Sequence, residues 1–131
     1  MKKIIALISA LLITVLSFAG CGGKNDGTLK IGIIQYMSHA SLDNCYNGVV
    51  AALEESGLEY KLDHQIGSSS SADADCNNFA KNMVAANYDM IIAIATPAAK
   101  AAFTATDDTD IPVIFCAVSD PVAAKIVESE E

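Results

Sequence analysis

"IPVIFCAVSDPVAA", Ile111 to Ala124, carries the reading of the fold. Its first half, Pro112 to Val118, is apolar and β-prone, and continuous where a half-exposed strand would alternate. Such a run suits a strand of a parallel sheet covered on both faces. It stops at a hydroxyl, a carboxylate and a proline: Ser119, Asp120 and Pro121. Proline fits the first position of a helix, where its missing N–H would have no partner in any case. A last short helix is therefore expected from Pro121, with Asp120 or Ser119 as its cap. Strand followed by capped helix is one β-α unit, and a parallel sheet needs others like it.

Working outward, "LKIGIIQY" (Leu29–Tyr36) and "DMIIAIA" (Asp89–Ala95) are continuous apolar runs of the same kind. "LEYKLDHQI" (Leu58–Ile66) alternates instead, with Leu58, Tyr60, Leu62, His64 and Ile66 on one face, and reads as an edge strand. Helical spacing lies between them. From Ser41 to Ser56, Leu42, Cys45, Tyr46, Val49, Val50 and Leu53 recur at steps of three and four, and Gly57 stops the helix. From Ala72 to Ala86 the repeat is Cys76, Phe79, Ala80, Met83 and Val84. "PAAKAAFTAT", Pro97 to Thr106, is Ala-rich, with Thr96 placed as N-cap.

The order β-α-β-α-β-α-β-α predicts an α/β fold: a doubly wound parallel sheet with right-handed crossovers. The common Rossmann-like or flavodoxin-like strand order, 2-1-3-4, puts the first and second helices on opposite faces. Cys45 and Cys76 could then not be bridged. With Cys116 they make an odd number and show no C-x-x-C spacing, so all three read as buried thiols acting as small hydrophobes. "SSSS" at Ser68–Ser71, with Asp73 and Asp75 after it, reads as a solvated loop and an acidic first helical turn.

The N-terminus sets the compartment. Lys2 and Lys3 precede the uncharged stretch Ile4–Ala19, and the small residues Ala19 and Gly20 precede Cys21. This is a secretory signal over residues 1–20, too short for a span of about 20 apolar residues. It resembles the lipobox of bacterial lipoproteins, with Phe18 where Leu is commonest. The resemblance implies a diacylglycerol on Cys21, which becomes the new N-terminus at the extracytoplasmic face of the cell membrane. Gly22 to Thr28, "GGKNDGT", then reads as a flexible tether. Removing residues 1–20 from 131 leaves 111, enough for one domain, residues 29–131. Losing Lys2 and Lys3 takes the formal charge from −8 to −10. An acidic body without arginine argues against nucleic acid as a partner.

Ligands of open parallel sheets collect outside the carboxyl ends of the strands. Here those ends run into "QYMSHASLD", "ATPAAK" and "AVSDPV". Tyr36, Thr96 and Ser119 are expected side by side on a common rim. Hydroxyls and unpaired helix N-terminal amides suit a carboxylate, and Asp120 suits an ammonium, so the expected ligand is a small zwitterion. The contact candidates are Ser38, His39, Thr96, Ser119 and Asp120. Each also has a plainer reading: Thr-Pro and Ser-Asp-Pro are ordinary capping chemistry, and His39 a loop histidine. His64 reads as a strand residue on the apolar face. No nucleophile elbow, metal-ligand cluster or Gly-rich phosphate loop is present, so neither enzyme, metal nor cofactor is expected.

"IGIIQYMSHASLDNCYNGVVAALEESG", "YDMIIAIATPAAKAA" and "IPVIFCAVSDPVAAKIV" together resemble the N-terminal lobe of ABC-transporter substrate-binding lipoproteins. The likeness is to the periplasmic-binding-protein-like group I kind, in the branch associated with tryptophan or tyrosine. It implies a two-lobed protein that closes on an amino acid, an aromatic one included, and docks to an ABC permease. Family members continue past the Ser-Asp-Pro segment into a second lobe, whereas this sequence stops at "VESEE", so a fragment or a single lobe is expected. Two alternatives to transport are a ligand-sensing lipoprotein for a membrane signalling partner and a truncated non-binding remnant.

Overall fold

The computed structural model describes residues 27–128; the signal region, the lipobox Cys21 and most of the tether lie outside the described residues. Seven regular elements follow in order among them. They are β1 (Leu29–Gln35), α1 (Ala40–Ser56), β2 (Tyr60–Ile66), α2 (Ala72–Ala85), β3 (Met90–Ile94), α3 (Thr96–Thr106) and β4 (Val113–Cys116). The strands form one parallel sheet in the order β2-β1-β3-β4. This is the expected α/β architecture, and the strand order is the one anticipated.

Side chains alternate across the sheet, so each strand feeds two cores. Ile31, Ile33, Ile92 and Ile94 face α1, where Leu42, Cys45, Tyr46, Val49 and Leu53 pack on them. Ile34, Ile91 and Ala93 face α2 and α3. There Cys76, Ala80, Ala98, Ala99 and Ala102 are completely buried. Small side chains let α2 and α3 settle close to the sheet, and burying each isoleucine beneath them contributes about 1.5–3 kcal/mol. Cys45 and Cys76 thus belong to opposite faces.

Helices cover both faces as expected, but unequally among the described residues. No residue of α1 is fully buried, although the helix is 17 residues long. On its side of the sheet the outermost strand is open, and Ile114 is 50% exposed. One helix cannot span four strands. The expected edge strand also starts later than its alternation suggests, at Tyr60, and Leu58 stays 52% exposed.

Helix ends follow local chemistry. Gly57 ends α1 at φ 69°. Asn87 ends α2 at φ 52°, where Asn87 N–H reaches the Val84 carbonyl and Tyr88 N–H the Met83 carbonyl. That pair of bonds is a Schellman closure, and asparagine tolerates the left-handed backbone it needs. The last helix shrinks for the same reason. Asp120 does cap it, accepting from Ala123 N–H at 2.8 Å. However, Lys125 turns left-handed at φ 58°, and Ile126 N–H returns to the Pro121 carbonyl at 2.9 Å. The expected helix from Pro121 is therefore a single wound turn.

Candidate ligand-binding rim

The register fixes where the rim lies. Gln35 pairs with both Ile66 and Ile94, and Ile94 pairs with Cys116, so the four carboxyl ends form one row. Hydrogen bonds carry the row one residue further. Tyr36 N–H donates to the Ile94 carbonyl at 3.2 Å, Ala95 N–H to the Cys116 carbonyl at 3.0 Å and Gly67 N–H to the Gln35 carbonyl at 3.0 Å. Ser38, His39, Thr96, Ser119 and Asp120 follow these residues by one to four positions, on the loops and helix starts that leave this edge.

Thr96 is not the cap of α3. It is the first helical residue, Ala95 occupies the cap position without a side-chain bond, and Pro97 follows. The Thr96 hydroxyl is consequently not used for capping. Ser38, Thr96 and Ser119 make no side-chain hydrogen bond among the described residues. Because Pro97 has no N–H, Thr96 and Ala98 carry the donors of the first turn of α3.

The backbone beneath is strained. Ala95 sits at φ 84°, ψ 156°, a region that belongs almost entirely to glycine, and Ala117 sits at φ 55°. Such conformations cost of order 1–3 kcal/mol each and cluster where a ligand is held. Both alanines stand at the row of strand ends. Sequence reasoning missed them, because alanine carries no sign of its backbone angle.

His39 and Asp120 are partly committed. His39 caps α1, with its Nδ1 accepting from Ser41 N–H at 3.3 Å. Asp120 accepts from Ala123 N–H through Oδ1, which leaves Oδ2 outside that capping bond. Sequence reasoning also missed Gln35, which ends β1 fully buried. Its Nε2 donates to the Met37 carbonyl at 2.9 Å and to Asp43 Oδ1 at 2.7 Å. Its Oε1 lies 3.1 Å from His64 Nε2. An amide oxygen only accepts, so that nitrogen of His64 carries the proton. The His64 ring stacks on Tyr46 with centroids 3.8 Å apart and planes 9° off parallel. Burial lowers the His64 pKa below 6.5, against the opposing pull of Asp43 and Asp63. Gln35 thus ties the first rim loop to α1 and β2. A polar residue closing an apolar run was the one available signal.

Beside the rim, the starts of α2 and α3 enclose an open hollow of about 420 Å³, lined by Asp73, Asn77, Thr96, Pro97, Lys100 and Thr104 among others. That volume falls in the range of small-molecule sites. The serine loop before α2 is held by Asp75, whose Oδ2 accepts from Ser68 N–H, Ser68 Oγ and Ser71 Oγ at 2.9, 2.8 and 3.0 Å. These bonds lower the Asp75 pKa, the Ser68 amide most of all. Among the described residues, no group of three His, Cys, Asp or Glu side chains is placed to share a metal ion. None of their helices is long and apolar enough to cross a membrane.

Known proteins resemble this arrangement. A tyrosine-binding protein of Clostridioides difficile strain R20291 is 36% identical over 148 residues, which cover 99% of this chain and 41% of that protein. A ligand-free, open substrate-binding protein with adhesive properties from Clostridium difficile superposes with a TM-score of 0.73 at 39% identity. The match covers 79% of this chain and 35% of that one. A Streptococcus pneumonia ABC domain in complex with L-Trp matches at TM-score 0.70 and 36% identity, over 78% of this chain and 34% of that one. The chain thus spans well under half the length of these relatives. The family model described as ABC transporter substrate binding protein matches residues 30–131, and the chain belongs to that family.

Proposed function

We propose that residues 29–131 are the N-terminal lobe of an extracytoplasmic solute-binding lipoprotein of an ABC importer. Its ligand is a small zwitterion, an amino acid with an aromatic side chain. Thr96 and the first-turn amides of α3 take the carboxylate, the Asp120 Oδ2 side takes the ammonium, and Ser38, His39 and Ser119 complete the contacts. The observation that carries this reading is the row of strand ends with three uncommitted hydroxyls above two strained alanines. Support for the ligand class comes from the relatives, one named for tyrosine and one bound to L-Trp. Clamping by a second lobe would multiply the contacts, so the isolated 131-residue chain should bind weakly. The partner implied is an ABC permease.

Titration of the isotopically labelled chain with L-tyrosine and L-tryptophan, followed by amide chemical shifts, tests the reading. Shifts should concentrate at Ser38, Thr96, Ser119 and their neighbours, and Asp120→Ala should weaken them. A perturbed set on another side of the molecule, or none at millimolar ligand, removes it. The anchor is separate: Cys21 should incorporate labelled palmitate in cells, and Cys21→Ser should not.

A further inference from the structure

The free edge of the sheet at β2 is not used by the ligand site. β2 is an outermost strand, and among the described residues no strand pairs with it on the side away from β1. Leu29 N–H donates to the Glu59 carbonyl and Gly67 N–H to the Gln35 carbonyl. Backbone groups alternate in direction along a parallel strand, so Lys61, Asp63 and Gln65 turn to β1 as well. Tyr60, Leu62, His64 and Ile66 therefore offer their N–H and C=O groups outward. Nothing blunts this edge: β2 has no proline, and its register with β1 runs unbroken over seven residues. The α1 helix packs on isoleucines of β1 and β3. Leu58, just before β2, and Ile66, its last residue, are 52% and 42% exposed.

"LEYKLDHQI", Leu58 to Ile66, is self-complementary about Leu62. A second copy laid antiparallel, with the two-fold axis at Leu62, sets Leu58 against the partner's Ile66 and Tyr60 against the partner's His64 on one face. On the other face it sets Lys61 against the partner's Asp63 and Glu59 against the partner's Gln65. A lysine on an edge strand ordinarily discourages pairing, but this register answers it with a carboxylate. Centring on Lys61 or on Asp63 would put like charges on the axis. Centring on His64 would leave Leu58 unmatched. We propose that β2 is a self-association edge, through which two copies of this chain join as an antiparallel pair centred on Leu62. The contact is isologous, so each pair of side chains off the axis occurs twice. Lys61 and Asp63 fall at non-hydrogen-bonded positions, where opposite side chains come closest. The ligand contact candidates follow β1, β3 and β4, so none stands on the paired strand.

The test uses the processed chain with Cys21→Ser, so that no lipid drives association. Sedimentation should show a monomer–dimer equilibrium that depends on concentration. Carbodiimide coupling of mixed isotopically labelled and unlabelled chains should give an interchain peptide joining Lys61 to Asp63. A chain that stays monomeric at millimolar concentration, or interchain coupling only at other residues, overturns the proposal. Lys61 is exposed, so Lys61→Glu leaves the fold alone and sets acidic groups against each other across the axis. Self-association should weaken about tenfold or more. Equal association of the two chains also overturns the proposal. Asp63→Lys should likewise stay monomeric, yet an equimolar mixture of the two variants should pair, because opposite charges then face each other again. Failure of that mixture to pair, with both variants folded by circular dichroism, overturns it as well.

Discussion

The two faces of the sheet are built differently. Under α2 and α3 the interior is dry and made of small side chains, with Cys76, Ala80, Ala98, Ala99 and Ala102 excluded from solvent altogether. Under α1 no helical residue is fully buried, a glutamine–histidine–tyrosine chain runs through the packing, and the outer strand is uncovered. The first face supplies cohesion. The second spends part of its burial on polar order, and that order ties the loop leaving β1 to α1 and β2. Dry packing and polar order are therefore drawn from opposite sides of the same four strands.

Truncating Ile34 to alanine should give the largest loss, about 2–5 kcal/mol in urea unfolding, since it empties a site with no exposure. Leu53→Ala on the half-buried α1 side should cost less than half as much. Equal losses would abolish the contrast. An intermediate effect is expected from Gln35→Leu, which keeps the shape but strips Asp43 and His64 of their partner. About 1–3 kcal/mol should be lost, and amide exchange around Met37 and Ser38 should accelerate.

Acidification should give the smallest effect and sharpen the comparison further. The folded-state pKa of His64 lies below its ordinary 6.5, so the unfolded chain takes up the proton first. Stability should thus be fully present above pH 6.5 and decline as pH falls below it. Melting curves at pH 7.5 and at mildly acid pH should show a modest drop that His64→Gln removes. A drop of the same size in the variant would place the sensitivity elsewhere.

Much of this was legible in the chain because apolar continuity is a strong signal. The runs at β1, β3 and β4 could be read as buried parallel strands, and the helical spacing between them dictated the layering. What the chain concealed lies at the ends of elements. "ATPAA" presents Thr96 as a cap, yet the residue that bends is Ala95, whose side chain is silent about its angle. Lys125 gives no warning that it will turn left-handed and close the last helix after one turn. Gln35 is visible as a polar end to an apolar run, but its partners Asp43 and His64 are brought to it only by tertiary folding. The exposure of Ile114 depends on how many helices share a face, which no strand encodes about itself.

The exit of β2 passes directly over the exit of β1. A methyl group added at Gly67 would come within 2.3 Å of the Tyr36 carbonyl oxygen and 3.0 Å of the Ala72 Cα, backbone atoms that cannot swing aside. The height of the β1 loop is thus metered by a residue with nothing beyond its Cα. Any larger residue there would have to push the exit of β1 away from the exit of β2, so a single missing methyl group sets the spacing of the two loops.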